Sequence, residues 1–368
     1  MGILSRELEV YRQLSKSYFV QIVTYGDRKD HDFGLFTCGL SILPLHRFNA
    51  RSSSRLLNFL YRMIALSRYS SVISRSNIIR THQVSGALLA ILARSIFALN
   101  ARLVIRGGYD LYLGRAETAS RLSPRRFLIY ALSKFSYRCA DAIIISTEEL
   151  KRAIVRCYRV PNERIVVIPN FIDSQIFFFK KKRKARHTPH SQARVLFVGR
   201  FEKEKQLDIL VTALSKSGIG LTIIGSGSEK CRLLCQAKRL DVDLQIIETL
   251  PNTELPQYYW THDVFVLCSR FEGNPKCLIE AMACGTPVVG TNVEGINNII
   301  VDGVTGILVR PTPLDLLDGI RLAISGSPKI GGIVKNAARS VAEKNTIVRC
   351  LRLELNLYYT LFKTGFDR

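Results

Sequence analysis

Short apolar runs alternate with helical patterns along the whole chain. This alternation limits the fold more than any other feature, because it is the signature of a parallel sheet wrapped by helices. In the second half, VLFVGR, LTIIGS, LQIIE, VFVLCS, PVVGT and ILVR are six strand candidates, each followed by a turn and most by a helix. In the first half, strands are expected at Phe19–Thr24, Asn77–Arg80, Leu103–Arg106 and Ala142–Ser146, with a short one at Ile165–Ile168. A chain of 368 residues is long enough for two such units, each with its own core. Its 47% hydrophobic and 23% charged residues are globular values, which excludes a disordered, collagen-like or coiled-coil chain. The expected class is α/β, with two consecutive doubly wound domains whose ligands sit beyond the carboxyl ends of the strands.

The boundary between the domains is also legible. After Pro169 and Asn170 comes FIDSQIFFFKKKRKARHTPHSQ, which has little periodicity and a basic run from Lys180 to Arg186. Residues 1–170 are therefore expected to form the first domain, 171–192 a basic linker and 193–350 the second domain. Residues 351–368 are expected to form a terminal helix that crosses back to the first domain. The basic run reads either as a solvated loop or as a contact for an anionic surface.

Charge is distributed very unevenly. Fifty-three Lys and Arg against 30 Asp and Glu leave +23, of which residues 1–190 carry +20 and residues 191–368 only +3. No acidic side chain occurs between Asp32 and Asp110, a stretch with ten Arg. Such an excess points to an anionic partner: nucleic acid, a phosphorylated ligand or a membrane surface. The start, MGILSRELEVYRQL, has no apolar core of a secretory signal. The longest apolar stretch, Ser85–Leu99, is interrupted by Arg94 and too short to span a bilayer. A cytoplasmic protein, peripheral on the inner face of the membrane, fits these features. The nine Cys are scattered without a Cys-x-x-Cys, and Cys231 and Cys235 stand one helical turn apart, so neither disulfides nor a metal site are expected.

Two stretches carry chemistry. In SRFEGNPKCLIEAMACGTPVVGTNVEGINNIIVDGVTGILV, from Ser269 to Val309, Glu272 lies on a loop after a buried strand. Glu280 follows eight positions later, inside a helix that begins near Lys276 to Leu278. A helix that starts directly after a strand presents free N–H groups and a positive dipole end, a natural seat for phosphate. Among Leu278, Ile279, Ala281 and Met282, the Glu280 carboxylate needs hydrogen-bond partners. A ligand's vicinal hydroxyls would supply them; two solvated carboxylates on a helix face are the plainer alternative.

The second stretch, VLFVGRFEKEKQLDILVTAL, runs from strand to loop to helix and places Arg200 and Lys205 at the strand's carboxyl end. Two cations there can clamp a diphosphate, Arg through its planar fork and Lys as a point charge. Glu202 and Glu204 could instead pair with them on the surface. Gly225 and Gly227 make a tight turn at the next strand end, where the backbone can be approached closely.

Taken together, these motifs resemble the family 4 glycosyltransferases, which have the GT-B fold. The Arg200/Lys205 pair after FVGR, the Gly225-Ser-Gly227 turn, the Glu272/Glu280 pair in EGNPKCLIEAMACGTPVV and the closing DGVTGILV look like that family's donor domain. The likeness covers roughly residues 75–365, including IVVIPNFID. It implies two Rossmann-like domains facing a cleft, and transfer of a hexose from a nucleotide-diphosphate sugar to a lipid-linked or polysaccharide acceptor. The anomeric configuration would be retained, with no metal and no further cofactor. Arg200 and Lys205 would hold the diphosphate beside Gly199, Gly225 and Gly227, and Glu280 the ribose hydroxyls. Glu272, the loop Gly273, Asn274, Pro275, Lys276 and Cys277, and Leu278 would hold the sugar. Cations aimed at charge growing on the departing phosphate stabilise the transition state more than the ground state.

In the first domain the resemblance places His82 where the family has a cleft-facing histidine; the alternative is an ordinary hydrogen-bonding residue. Arg106 ends a strand and would meet an anionic acceptor or the donor phosphate, or would simply be solvated. Within RSSSRLLNFLYRMIALSRY, Leu56, Leu57, Phe59, Leu60, Met63, Ile64 and Leu66 form one broad helix face, flanked by Arg51, Arg55, Arg62 and Arg68. That face either lies on an anionic membrane or packs on its own sheet.

Two departures from the family stand out. Members open with a strand and a Gly-rich loop, whereas SRELEVYRQL already looks like the first helix and Gly2 is the only remnant of the loop. Either the true start lies upstream, or the first domain lacks its first strand. Gln206 stands where the family has Gly. The competing reading is a catalytically impaired GT-B-like protein that binds a membrane or a partner enzyme. A nucleic-acid binder would explain the charge but not the paired carboxylates.

Overall fold

The computed structural model describes residues 9–25, 40–45, 55–108, 110, 112–113, 124–180 and 193–363, with the side chains of residues 55 and 56 left aside. Gly2, Arg51 and residues 181–192, which hold most of the basic run, lie outside the described residues, as do the side chains of Arg55 and Leu56. The chain divides into two compact units: Glu7–Ile168 with Leu351–Arg368, and Pro169–Cys350 with Met1–Arg6.

The first unit contains two parallel sheets. Gln21–Thr24 (β1) pairs with Ser41–Pro44 (β2), in a register that runs from Gln21 opposite Ser41 to Thr24 opposite Pro44. Ile78–Arg80 (β3), Arg102–Gly107 (β4), Ala142–Ile145 (β5) and Ile165–Val167 (β6) follow one another in a four-stranded parallel sheet. The interior of β4 and all of β5 are buried apolar runs, as expected of central parallel strands. Strand β2 is an addition to the sequence reading. It has four residues with burial alternating along it and Pro at its end, too little for a period to register.

Core residues Leu103, Ile105, Ile143 and Ile145 pack with Tyr137 and Tyr158. Both phenols donate to buried Asp110, at 3.0 and 2.8 Å. Two backbone N–H groups, of Tyr112 and Leu113, complete that carboxylate's shell at 2.9 Å each. The polar cluster is thus satisfied internally.

In the second unit Arg194–Val198 (β7), Gly220–Ile224 (β8), Leu244–Ile247 (β9), Val264–Leu267 (β10), Val288–Thr291 (β11) and Ile307–Val309 (β12) form one parallel sheet in the order β12-β11-β10-β7-β8-β9. From β7 the chain builds outward through β8 and β9, then returns to lay β10 on the other side of β7. The direction of building therefore reverses between β7 and β10, and a doubly wound sheet opens its ligand crevice at such a switch point.

The segment expected as a linker is, over residues 171–180, part of this second unit. Phe171, Ile172 and Phe177 are buried, and Phe178 lies against Trp260 with ring centroids 4.9 Å apart. Of the run Phe177–Phe179 only Phe177 is buried, while Phe178 and Phe179 stay partly exposed. The terminal helix, Ile347–Lys363, begins in the second unit and continues in the first after Cys350. Among the described residues, no helix is long and apolar enough to cross a membrane, and the described cysteines are free thiols.

Candidate functional site

The residues singled out in the second half gather at the switch point. The loop after β7 carries Gly199, Arg200 and Lys205; the loop after β10 carries Glu272, Gly273, Asn274 and Pro275. An ion pair joins the two loops, with Lys205 Nζ 2.6 Å from Glu272 Oε1. Both side chains are nearly enclosed, 15% and 11% exposed. Ser269 Oγ donates to the same carboxylate oxygen at 2.6 Å, and Thr291 Oγ1 in turn donates to the Ser269 carbonyl at 2.7 Å. Glu272 is thereby fixed from three strand ends, those of β7, β10 and β11. Arg200 differs: its side chain is 72% exposed and reaches Glu204 only at 3.7 Å, so its guanidinium can turn toward an anion at little cost.

Backbone geometry holds the loops together. Gly225 (φ 143°) and Gly227 do allow a close approach, but to the chain's own loop. A Cβ at Gly225 would stand 2.0 Å from the Gly199 carbonyl oxygen, and one at Gly227 2.4 Å from that of Phe201. Gly295, which the sequence reading did not single out, plays the same part for the Glu272 loop. It adopts φ 84°, and a Cβ there would lie 2.1 Å from the Glu272 carbonyl oxygen. The Glu272 N–H donates to the Glu294 carbonyl at 3.1 Å.

Gln206 also has a left-handed backbone (φ 48°, ψ 39°), which accounts for the glycine expected at that place. Beneath it, the Cys268 thiol donates to the Lys205 carbonyl at 3.1 Å, and burial pushes this thiol up to about 12.

The helix after the second loop, Lys276–Cys284, follows Pro275, which supplies no side-chain cap. Leu278 to Cys284 are buried, Glu280 among them at 2% exposure. The Tyr259 hydroxyl donates to Glu280 Oε2 at 3.0 Å. A solvated helix-face carboxylate is thus excluded for Glu280, and Tyr259 is a partner that spacing alone could not reveal. Burial, with the Glu280 charge nearby, raises the Cys284 thiol above its ordinary range. Asn170 Nδ2 donates to the Asn274 carbonyl at 2.5 Å, and Asn345 Nδ2 to the Asn170 carbonyl at 2.7 Å, which tie the loop to the unit's first residues. Lys276 places its ammonium 5.3 Å from the centre of the Phe171 ring, while Cys277 stays half-buried.

The first-unit candidates are held differently. His82 is exposed, with Nδ1 3.2 Å from the Tyr11 hydroxyl. Arg106 is not solvated but buried. It shares Glu354 of the terminal helix with Arg80, whose Nε lies 2.9 Å from Glu354 Oε1; Arg106 reaches Oε2 at 3.4 Å. Its charge is compensated within the unit, 248 residues away in sequence, which no local pattern could disclose. Among the described residues no cluster of His, Cys, Asp and Glu is arranged to hold a metal ion.

Comparison with known proteins agrees with this arrangement. The family model described as "Glycosyl transferases group 1" matches residues 178–340, and that described as "Glycosyltransferase Family 4" matches residues 8–176. Relatives include N-acetyl-alpha-D-glucosaminyl L-malate synthase of Bacillus anthracis, 27% identical over 67% of this chain and 65% of its own. Another is a glycogen synthase of Mycobacterium tuberculosis, 30% identical over 50% of this chain and 45% of its own. The chain thus spans about half to two thirds of the length of these relatives. Among solved structures, sucrose-phosphate synthase from Thermosynechococcus elongatus superposes with a TM-score of 0.82 at 21% identity, covering 98% of this chain and 93% of that one. Anabaena HepE, in complex with UDP and glucose, gives 0.77 at 17% identity over 96% and 95%. With the first half matched by the family 4 model, the second by the group 1 model, and two α/β units with parallel sheets in place, the chain belongs to the family 4 glycosyltransferases of GT-B fold.

Proposed function

We propose that the chain transfers a sugar from a nucleotide-diphosphate sugar, with retention and without a metal, to a lipid-linked or polysaccharide acceptor. The observation that carries this reading is the Lys205–Glu272 pair across the β7/β10 switch point, with the buried Glu280 one helix further on. In this reading Arg200 and Lys205 take the diphosphate, and the first-turn N–H groups of the Lys276–Cys284 helix share its charge. The Glu280 oxygens accept from the ribose hydroxyls, and Glu272 with the Gly273–Cys277 loop holds the sugar. On arrival of the donor, Lys205 exchanges one anionic partner for another, so the cation is already oriented when charge develops on the leaving phosphate. A phosphate oxygen takes the acceptor's proton, which leaves the protein few acid or base steps to perform. A thermal-shift screen of nucleotide sugars tests this directly, because a bound donor stabilises in proportion to its affinity. Absence of a shift with every nucleotide sugar would remove the reading.

The acceptor is assigned to the first unit, on an anionic membrane face. What supports the membrane is the helix Arg55–Leu66, on which Phe59, Met63 and Leu66 pack inward while Leu57, Leu60 and Ile64 stay exposed. A second helix, Pro124–Cys139, exposes Phe127, Leu128, Leu132 and Phe135 near the basic Arg125 and Arg138. Apolar and basic side chains together suit an interface with anionic lipid. Liposome sedimentation with and without anionic lipid decides it, and equal sedimentation in both would sink the idea.

A further inference from the structure

At the amino ends of the first unit's strands lies a cavity of about 370 Å³ that gathers four arginines. Arg102 opens β4, Asp141 directly precedes β5 and Arg164 directly precedes β6. These strands are parallel neighbours, so the three residues stand at one end of the sheet. Arg94, in the last turn of the helix Ala87–Phe97, and Arg138, in the last turn of the helix Pro124–Cys139, complete the charged wall. Leu361 of the terminal helix supplies an apolar part of it. Ligands of doubly wound sheets sit beyond the carboxyl ends of the strands. The cavity lies at the opposite end and is separate from any acceptor site expected there.

The charges around this cavity do not balance. Among the described residues, Asp141 is the only carboxylate in its wall. That carboxylate is already engaged: Arg94 reaches Oδ2 at 3.0 Å, Arg102 reaches Oδ1 at 3.3 Å, and the Leu103 N–H donates to Oδ2 at 2.7 Å. Arg138 and Arg164 are exposed and have no carboxylate partner among the described residues. Four guanidiniums against one carboxylate leave +3 around a single recess. Converging like charges cost free energy unless an anion joins them. The donors also set the class of anion. Every cation is an arginine, whose planar fork pairs two N–H groups with two oxygens of one oxyanion. A further carboxylate would leave about +2, whereas a phosphate group of charge near −2 brings the wall to about +1. Arg94 and Arg102 come from the stretch without acidic residues between Asp32 and Asp110, an excess that the nucleotide-sugar site leaves unexplained.

We propose that this cavity binds a phosphate group, borne by a soluble ion or small molecule or by a lipid headgroup, at a site apart from donor and acceptor. Arg138 and Arg164 make the fork contacts. Arg94 and Arg102, fixed in place by Asp141, add charge behind them. The site does not depend on the nucleotide-sugar reading of the second unit.

The test uses the full chain, inorganic phosphate as the probe and the variant Arg138→Gln/Arg164→Gln, which leaves the Asp141 network intact. A control, Arg156→Gln/Arg321→Gln, changes net charge equally at exposed helix positions outside the cavity. Phosphate also suits the loops around Lys205, so the quantity read is the difference in thermal shift between proteins, against chloride at equal ionic strength. At about ten times its dissociation constant, phosphate should raise the midpoints of wild type and control by about 4 °C more than that of the cavity variant. Equal shifts in wild type and cavity variant would overturn the proposal. So would equal loss of the shift in both variants, since net charge alone would then account for it. Phosphatidylcholine vesicles with and without phosphatidic acid distinguish the two sources once the phosphate difference is seen. Sedimentation with phosphatidic acid that is lost in the cavity variant and kept in the control assigns the phosphate to a lipid headgroup. Sedimentation that the cavity change leaves unaltered assigns it to a soluble phosphate.

Discussion

Replacing Lys205 by Met removes the cation that bridges the two site loops while keeping most of the side chain's bulk. At 2.6 Å the pair with Glu272 has a gross attraction of about 6 kcal/mol at an effective dielectric of 20. Desolvation of two nearly enclosed groups cancels much of this, and Ser269 still donates to Glu272 after the change. A net loss of about 2 kcal/mol is expected for Lys205→Met, because the carboxylate is left buried without its counter-charge. The double variant Lys205→Met/Glu272→Gln should recover about 1 kcal/mol of that, since neither charge is then left alone. Denaturant unfolding of the wild type, both single variants and the double variant gives the cycle. Function separates from stability here: the double variant should be folded yet lose about a hundredfold in donor turnover, the scale on which one transition-state charge partner acts. Wild-type turnover in the folded double variant would refute the assignment of Lys205 to the donor phosphate.

Two further changes probe the scaffold of the site. Gln206→Gly relieves a left-handed backbone and should add about 1 kcal/mol of stability, read by denaturant midpoint; a destabilised variant would mean that the glutamine side chain holds the loop. Cys268 should make the protein alkali-sensitive. Its thiol rises from 9.0 to about 12 on folding, so the folded state retains a proton that the unfolded chain releases. Its contribution is complete below pH 9 and is lost as pH rises through 12. Unfolding free energies measured between pH 8 and 11 should fall less steeply in Cys268→Ala than in the wild type.

Much of the second unit could be read from sequence because its strands are buried on both faces, which turns them into apolar runs such as VLFV and VFVL, closed by loop residues. The loops after those runs then showed Arg200, Lys205 and Glu272 without any structure. What escaped were partners distant in sequence. Tyr259 reaches Glu280 from the preceding helix, Gly295 supports Glu272 from the loop after β11, and Glu354 compensates Arg80 and Arg106 from the end of the chain. Each needs the fold before it is a neighbour. Between 171 and 180 the chain lacks periodicity and still packs, with Phe171 and Phe177 buried, which a period-based reading does not register. In the first unit β2, four residues with Pro at its end, is too short for a period to register.

The most direct test of the account is turnover of a nucleotide sugar, by hydrolysis or transfer, in the wild type and in Glu280→Ala, with folding of both checked by circular dichroism. Loss of a carboxylate that accepts from two donor hydroxyls should weaken donor use by about 10- to 100-fold. Wild-type turnover in a folded Glu280→Ala protein would contradict the account at its centre.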